Sequence, residues 1–205
     1  MGTVRPDLHG YRRPRGWRVI HPTRVGGWAD GLGCGQWRRI NAAALVNVNT
    51  SRDLRRLEVS IVPYESRHAV QFRSLVSDTL REFGFEPDSE LDPDLDNPDV
   101  YYAALWVAEQ DGEVVGSVAL RDLGDDALEL KRMYLRPAQR GRGLGRRLLT
   151  TAVDWARAHG GSVIRLDTSE RMQAAQALYE KYGFRRVPGD APRQGQPRLL
   201  YELRL

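Results

Sequence analysis

Three glycines at alternate positions, Gly141, Gly143 and Gly145, stand among Arg140, Arg142, Arg146 and Arg147, between a strand-like run and a helical apolar pattern. Glycine lets backbone approach a ligand closely and adopts conformations that other residues resist. The first N–H groups of a helix have no intrahelical partner and lie at the positive end of its dipole. A helix opening inside such a loop is therefore a site for a phosphate anion, and the arginines add charge-assisted donors. The alternative is a glycine turn that only starts a helix. Two nucleotide motifs do not fit. A Walker loop needs Lys-Ser/Thr after its last glycine, where this chain has Arg146-Arg147. A dinucleotide fingerprint runs G-x-G-x-x-G near the start of a parallel βαβ unit, whereas here the spacing is G-x-G-x-G and four sheet segments come first.

Elements must hold this loop in place, and their pattern begins at Glu58. Val59, Ile61 and Pro63 read as an edge strand ending at the proline. Ser66 caps a helix whose apolar positions, from Ala69 to Phe83, recur at helical spacing, with Gly84 as its stop. Residues 86–99 form a proline-rich loop with seven carboxylates and no base. Two strands follow, Ala104–Gln110 and Glu113–Leu120, joined by the hairpin turn Asp111-Gly112. A fourth strand covers Leu128–Leu135 and ends at Pro137. Beyond the glycine loop a helix runs to about His159, with Leu144, Leu148, Ala152 and Trp155 on one face. Ser162–Asp167 is a buried strand and Arg171–Tyr182 a helix. Gly183-Phe184 starts a strand-like turn, residues 188–197 form a loop, and Arg198–Leu205 alternates as a last strand. The order predicts an α/β (α+β) fold with a mixed sheet flanked by helices.

Charge divides the chain. The 205 residues carry net +4. Residues 1–57 hold eleven Arg and three Asp, or +8, so residues 58–205 carry 4 − 8 = −4. Residues 1–57 lack sustained periodicity and read as a disordered Arg/Gly/Trp-rich leader. Alternatively they are a basic arm for nucleic acid or membrane. They could also lie outside the native coding sequence, since codons for Arg55–Glu58 can spell a ribosome-binding site and that for Val59 a GTG start. Finding Met1 or Gly2 at the terminus of the native protein by intact mass rejects that idea. No run of about 18 apolar residues is present, so no membrane helix is expected. Cys34 stands alone, which excludes an intramolecular disulfide and a cysteine-based zinc site and suits a cytoplasmic setting. His9, His21, His68 and His159 have no metal-ligand spacing, so no metal is expected.

Glu129–Pro137, then Arg140-Gly-Arg-Gly-Leu-Gly145, then Leu148-Leu149, resembles the central motif of the GNAT N-acetyltransferases. A second block, Ala174–Phe184, is similar to that family's last helix and following strand. The resemblance covers residues 58–205 and implies a mostly antiparallel central sheet. It also implies acetyl-CoA as co-substrate and transfer of the acetyl group to a primary amine by direct attack in a ternary complex. Carried onto this chain, it implies that Met133, Tyr134 and Leu135 offer backbone groups to the pantetheine arm. Arg140, Gly141, Arg142, Gly143, Leu144, Gly145 and Arg146 would bind the pyrophosphate, and Tyr179 would protonate the departing thiolate. Where the family often has an asparagine, seven residues before that tyrosine, this chain has Met172; a shifted or water-mediated contact is expected there.

An amine with a pKa near 10 must lose a proton before it attacks, and a carboxylate can take it directly or through water. The resemblance offers Glu129 and Asp167 as that base. Alternatively, Glu129 pairs outward with an arginine, Asp167 caps a turn, and Tyr179 is a core aromatic. The acidic loop 86–99 would border the acceptor groove and attract a cationic small-molecule or peptide amine, such as a polyamine, an aminoglycoside-like amine or a lysine side chain. Its alternative is a solvated loop. Other classes remain open at this stage: a silent acyl-CoA-binding sensor, or nucleic-acid binding through the leader. Nucleic acid is not the expected partner, and a homodimer is left open.

Overall fold

Apolar residues alternating along the strands leave both sheet faces in need of cover, and helices supply it. The computed structural model describes residues 58–189 and 193–205; the leader expected over residues 1–57 lies outside them. The elements, in order, are β1 (Ser60–Pro63), α1 (Ala69–Glu82), a short α2 (Pro98–Tyr101), β2 (Ala104–Gln110), β3 (Glu113–Gly124), β4 (Ala127–Leu135), α3 (Leu144–Ala158), β5 (Val163–Ser169), α4 (Gln173–Tyr182), β6 (Arg185–Val187) and β7 (Arg198–Arg204). The strands form one seven-stranded sheet in the order β1-β2-β3-β4-β5-β7-β6. Every pairing is antiparallel except β4 with β5. This is the mixed, mostly antiparallel sheet that the sequence predicts. None of these helices is long and apolar enough to cross a membrane.

Local chemistry sets the turns. Asp111 and Gly112 both take positive φ, 54° and 80°, as a two-residue hairpin between β2 and β3 requires. Pro63 ends the edge strand β1, where its missing donor costs no ladder bond. On one face Phe72, Val76 and Leu80 of α1 pack with Phe85, and Leu75 packs with Val107 and Val114. On the other, Leu148, Leu149, Ala152 and Val153 of α3 pack against Trp106, Val118, Leu120 and Leu128. Fully burying a leucine of this kind contributes about 1.5–3 kcal/mol.

Regular pairing breaks at two places along β4. β4 and β5 are paired only from Ala127↔Val163 to Glu129↔Arg165. Beyond that β4 continues to Leu135 beside β3, and β5 to Ser169 beside β7, so the two strands splay apart. Within β4 the register with β3 slips: Ser117 faces Tyr134, while Ala119 faces Lys131. Val118 therefore meets both Arg132 and Met133, which is a β-bulge. Arg132 has φ 50°, an uncommon conformation for a residue with a side chain.

Candidate active site

The splay opens a cleft of about 230 Å³ between β4 and β5. Met133 and Tyr134 line it from β4, Asp167 and Thr168 from β5, Met172, Ala175 and Tyr179 from the α4 region, Arg193 from the segment leading into β7, and Arg198 from the start of β7. Strand edges that no longer pair with each other leave backbone donors and acceptors for a ligand to meet, as an added strand would.

The glycine loop lies at the far end of β4 and enters α3. Gly143 is the N-cap of this 15-residue helix, with φ 82° and no side-chain cap on the first N–H groups. Gly141 has φ 74°. A Cβ at either position would meet nothing within 4 Å, so glycine is required here by the backbone angle, and the space above it is open. Gly145 has a different reason: a Cβ there would come within 3.2 Å of the Leu178 side chain, where α3 and α4 pack. Uncapped helical donors, open space and no acidic residue in the first turn are the features that an anion site requires. Arg140 contributes less freely than its sequence position suggests. Its guanidinium pairs with Glu82 of α1, its Nε donates to the Leu135 carbonyl at 3.2 Å, and it lies over the Phe83 ring. Its side chain thus ties the loop to α1. Gly143 and Arg146 border a separate shallow depression with Ile61 and Thr150.

Tyr179 is buried between Phe184 and Tyr201. Burial, then the nearby Tyr134 and Asp167, pushes its hydroxyl well above the ordinary tyrosine value, against a smaller opposing effect of Arg198. It therefore keeps its proton through neutral and mildly alkaline pH. Asp167 lines the cleft and is paired with Arg198 at 2.7 Å. Glu129 is absent from the cleft lining; it forms an ion pair with Arg121 at 2.6 Å and lies 3.6 Å from Lys131. Leu135 also lies outside the lining and packs near Gly116 and Gly145. Met172, at the expected asparagine position, lines the cleft and receives a weak bond from the Thr168 hydroxyl at 3.7 Å. His68 is buried and bonded to the Glu65 backbone and to Glu109, and His159 stacks on Trp155. Among the described residues no group of three His, Cys, Asp or Glu gathers into a metal site.

The acidic loop borders the cleft through Leu91, as expected, but it does not give it an anionic rim. None of its seven carboxylates lines the cleft. Asp92 and Asp94 turn inward to Arg132, whose side chain is 4% exposed: Nη2 reaches Asp92 at 2.7 Å and Asp94 at 2.5 Å, and Nε reaches Asp94 at 2.7 Å. Tyr102 donates to Asp94, and Arg193 to Asp92 at 2.6 Å. Asp96 pairs with Arg73, and Glu86 lies 3.7 Å from Arg81. Burial alone would raise the Asp94 carboxyl, but the hydrogen bonds and charge of Arg132 outweigh it and hold it below the usual range; the same holds for Asp92 with Arg193 and Arg132. The loop is thus a buried ionic clamp on the β4 bulge, and it leaves the cleft with more cations than carboxylates.

Arg132, Arg193 and Arg198 escaped the sequence analysis. A signal for the first was present. Arg132 shares the parity of the inward Leu128 and Leu130, so an arginine was due at a buried position and needed carboxylates. Its partners Asp92 and Asp94 lie some forty residues away, and no local pattern marked them.

Comparison with known proteins agrees with this geometry. Residues 70–184 match the model of the Acetyltransferase (GNAT) family. That is more than half of the chain, which therefore belongs to this family. An uncharacterized N-acetyltransferase of Escherichia coli K12, YjgM, is 37% identical over 116 residues, 52% of this chain and 70% of that one. The chain spans only about two fifths of several vertebrate N-acetyltransferases that it also matches. An acetyltransferase structure from Streptococcus agalactiae superposes with a TM-score of 0.65 at 27% identity, covering 72% of this chain and 98% of that one. The yncA structure from Salmonella typhimurium, described with its cofactor acetyl-CoA, gives a TM-score of 0.60 at 20% identity over 71% and 93% of the two chains, a likeness of fold.

Proposed function

We propose that this protein transfers an acetyl group from acetyl-CoA to a primary amine by direct attack within a ternary complex. The observation that carries this is the β4–β5 splay running into an uncapped α3 N-terminus whose glycines leave open space. A thioester arm lying in the splay as an added strand would have its pyrophosphate on the helix donors. The acetyl-CoA in the Salmonella neighbour supports the choice of co-substrate.

The reaction needs one proton removed and one supplied. The incoming ammonium loses a proton to Asp167, directly or through water, and the neutral nitrogen attacks the thioester carbonyl. The N–C bond forms, the C–S bond breaks, and Tyr179 protonates the departing thiolate. Tyr179 borders the cleft with its hydroxyl protonated, and that position supports this role. Proximity to Asp167 supports return of that proton. We assign the base to Asp167 and a structural role to Glu129, since only Asp167 borders the cleft. Holding two substrates in line supplies much of the acceleration by itself.

Calorimetric titration with acetyl-CoA, followed by addition of pooled amines and measurement of free thiol, tests the proposal. Micromolar binding with amine-dependent thiol release is expected. Binding without release over a broad amine panel would favour an acyl-CoA sensor, and no binding by folded protein would reject the cofactor site.

A further inference from the structure

We infer that the acceptor amine carries a carboxylate a few bonds from its nitrogen, as an amino acid does, and that Arg193 and Arg198 receive that carboxylate. This rests on the acetyl-transfer proposal and names its acceptor class.

Charge is the first support. The cleft lining holds Lys131, Arg132, Arg193 and Arg198 against one carboxylate, Asp167. The carboxylates directly behind these cations are Asp92 and Asp94, so four positive charges face three negative ones. Glu129, near Lys131 at 3.6 Å, already holds Arg121 more closely. A polyamine entering this cleft would add like charge, whereas an anion would be drawn in.

Unused donors are the second support. Among the described residues Arg193 and Arg198 make their hydrogen bonds through Nη2 alone, to Asp92 and to Asp167. The Nε–H of each is buried without a partner. A buried donor left unpaired is costly. The Nε–H and Nη–H edge of a guanidinium matches the two oxygens of a carboxylate, so a small rotation on ligand entry would satisfy groups that the protein leaves open.

Both guanidiniums are also held before any ligand arrives. Asp92, itself bonded to Arg132, fixes Arg193, while Asp167 and the Phe85 ring at 5.7 Å fix Arg198. Such anchoring lowers the ordering cost of binding. Because Arg198 is bonded directly to Asp167, a carboxylate received by Arg198 puts an amine a few bonds away beside the proposed base.

The test uses the full chain, acetyl-CoA and a panel of amino acids, each with its carboxamide and methyl ester, plus putrescine and spermidine, with thiol release as the readout. Amino acids are expected to exceed their amides and esters at least tenfold in kcat/KM. Arg193→Gln should raise KM for the acids tenfold or more and bring the acid-to-amide ratio toward unity, with the acetyl-CoA Kd from calorimetry unchanged. Arg193→Lys keeps a cation over Asp92 and lacks the fork; it should fold as the parent and lose part of the preference. Amides or polyamines used as well as the acids, acetyl-CoA binding with no release from any acid, or an unchanged ratio in Arg193→Gln each overturn the inference while leaving the cofactor site standing. Absence of acetyl-CoA binding by the parent overturns the acetyl-transfer proposal, and the inference falls with it.

Discussion

Replacing Arg132 by methionine removes the centre of the buried ionic clamp while keeping similar bulk. Both residues bear a side chain at φ 50°, so the cost of the left-handed backbone cancels in the comparison. The remaining difference is electrostatic. Asp94, with its side chain 5% exposed, keeps only the Tyr102 hydroxyl as a side-chain donor, and Asp92, 1% exposed, keeps Arg193 and the Asp88 N–H. Breaking a buried pair in this way costs about 3–5 kcal/mol. At about 2–4 °C per kcal/mol for a domain of roughly 150 residues, Tm at pH 7 should fall by about 6–20 °C. The loss has a definite pH dependence. In the parent, Asp92 and Asp94 are held below the ordinary carboxylate range, so their contribution is present above about pH 4 and disappears as pH falls through the folded values. In the variant, burial without Arg132 raises Asp94, and the cost of its charge is relieved as acid neutralises it. The gap in Tm between parent and variant should therefore narrow from pH 7 to pH 4. Thermal melts followed by circular dichroism at both pH values measure it. A gap under about 3 °C at pH 7, or one equal at both, would refute the clamp.

Three further outcomes concern the site. Gly143→Asp puts a carboxylate into the open space at the α3 N-cap; a like charge some 4 Å from a phosphate should weaken acetyl-CoA binding by about 10²-fold or more, and unchanged calorimetric affinity would remove the loop from the cofactor site. Tyr179→Phe should lower kcat by about 10²-fold with little change in acetyl-CoA affinity; because the hydroxyl is held above its ordinary value, the parent should show no fall in kcat from this group between pH 7 and 9, and such a fall that vanishes in the variant would contradict it. Asp167→Asn should reduce kcat/KM at pH 7 more than Glu129→Gln does, and the reverse order would transfer the base to Glu129.

The sequence by itself determined the order of the strands and of the longer helices from Glu58 onward, because apolar periodicity, Asp111-Gly112 and the alternate glycines are local signals that few other conformations satisfy, while the short α2 begins inside a stretch read as loop. It also determined the glycine loop, since left-handed φ at Gly141 and Gly143 is a property of residue type. Only the tertiary structure decided which charges face the cleft. Seven carboxylates in fourteen residues suggested an anionic rim, yet Asp92 and Asp94 are drawn inward by an arginine some forty residues away, and none of the seven reaches the lining. Arg193, in a loop without periodicity, and Arg198, at the start of β7, could be recognised as cleft residues only once β7 paired beside β5. Choosing between Glu129 and Asp167 likewise depended on the point at which β4 and β5 part. A local pattern fixes where a backbone turns and which face a side chain takes. The partner of a charge is set by what the whole chain brings near it, and burial makes that choice decisive.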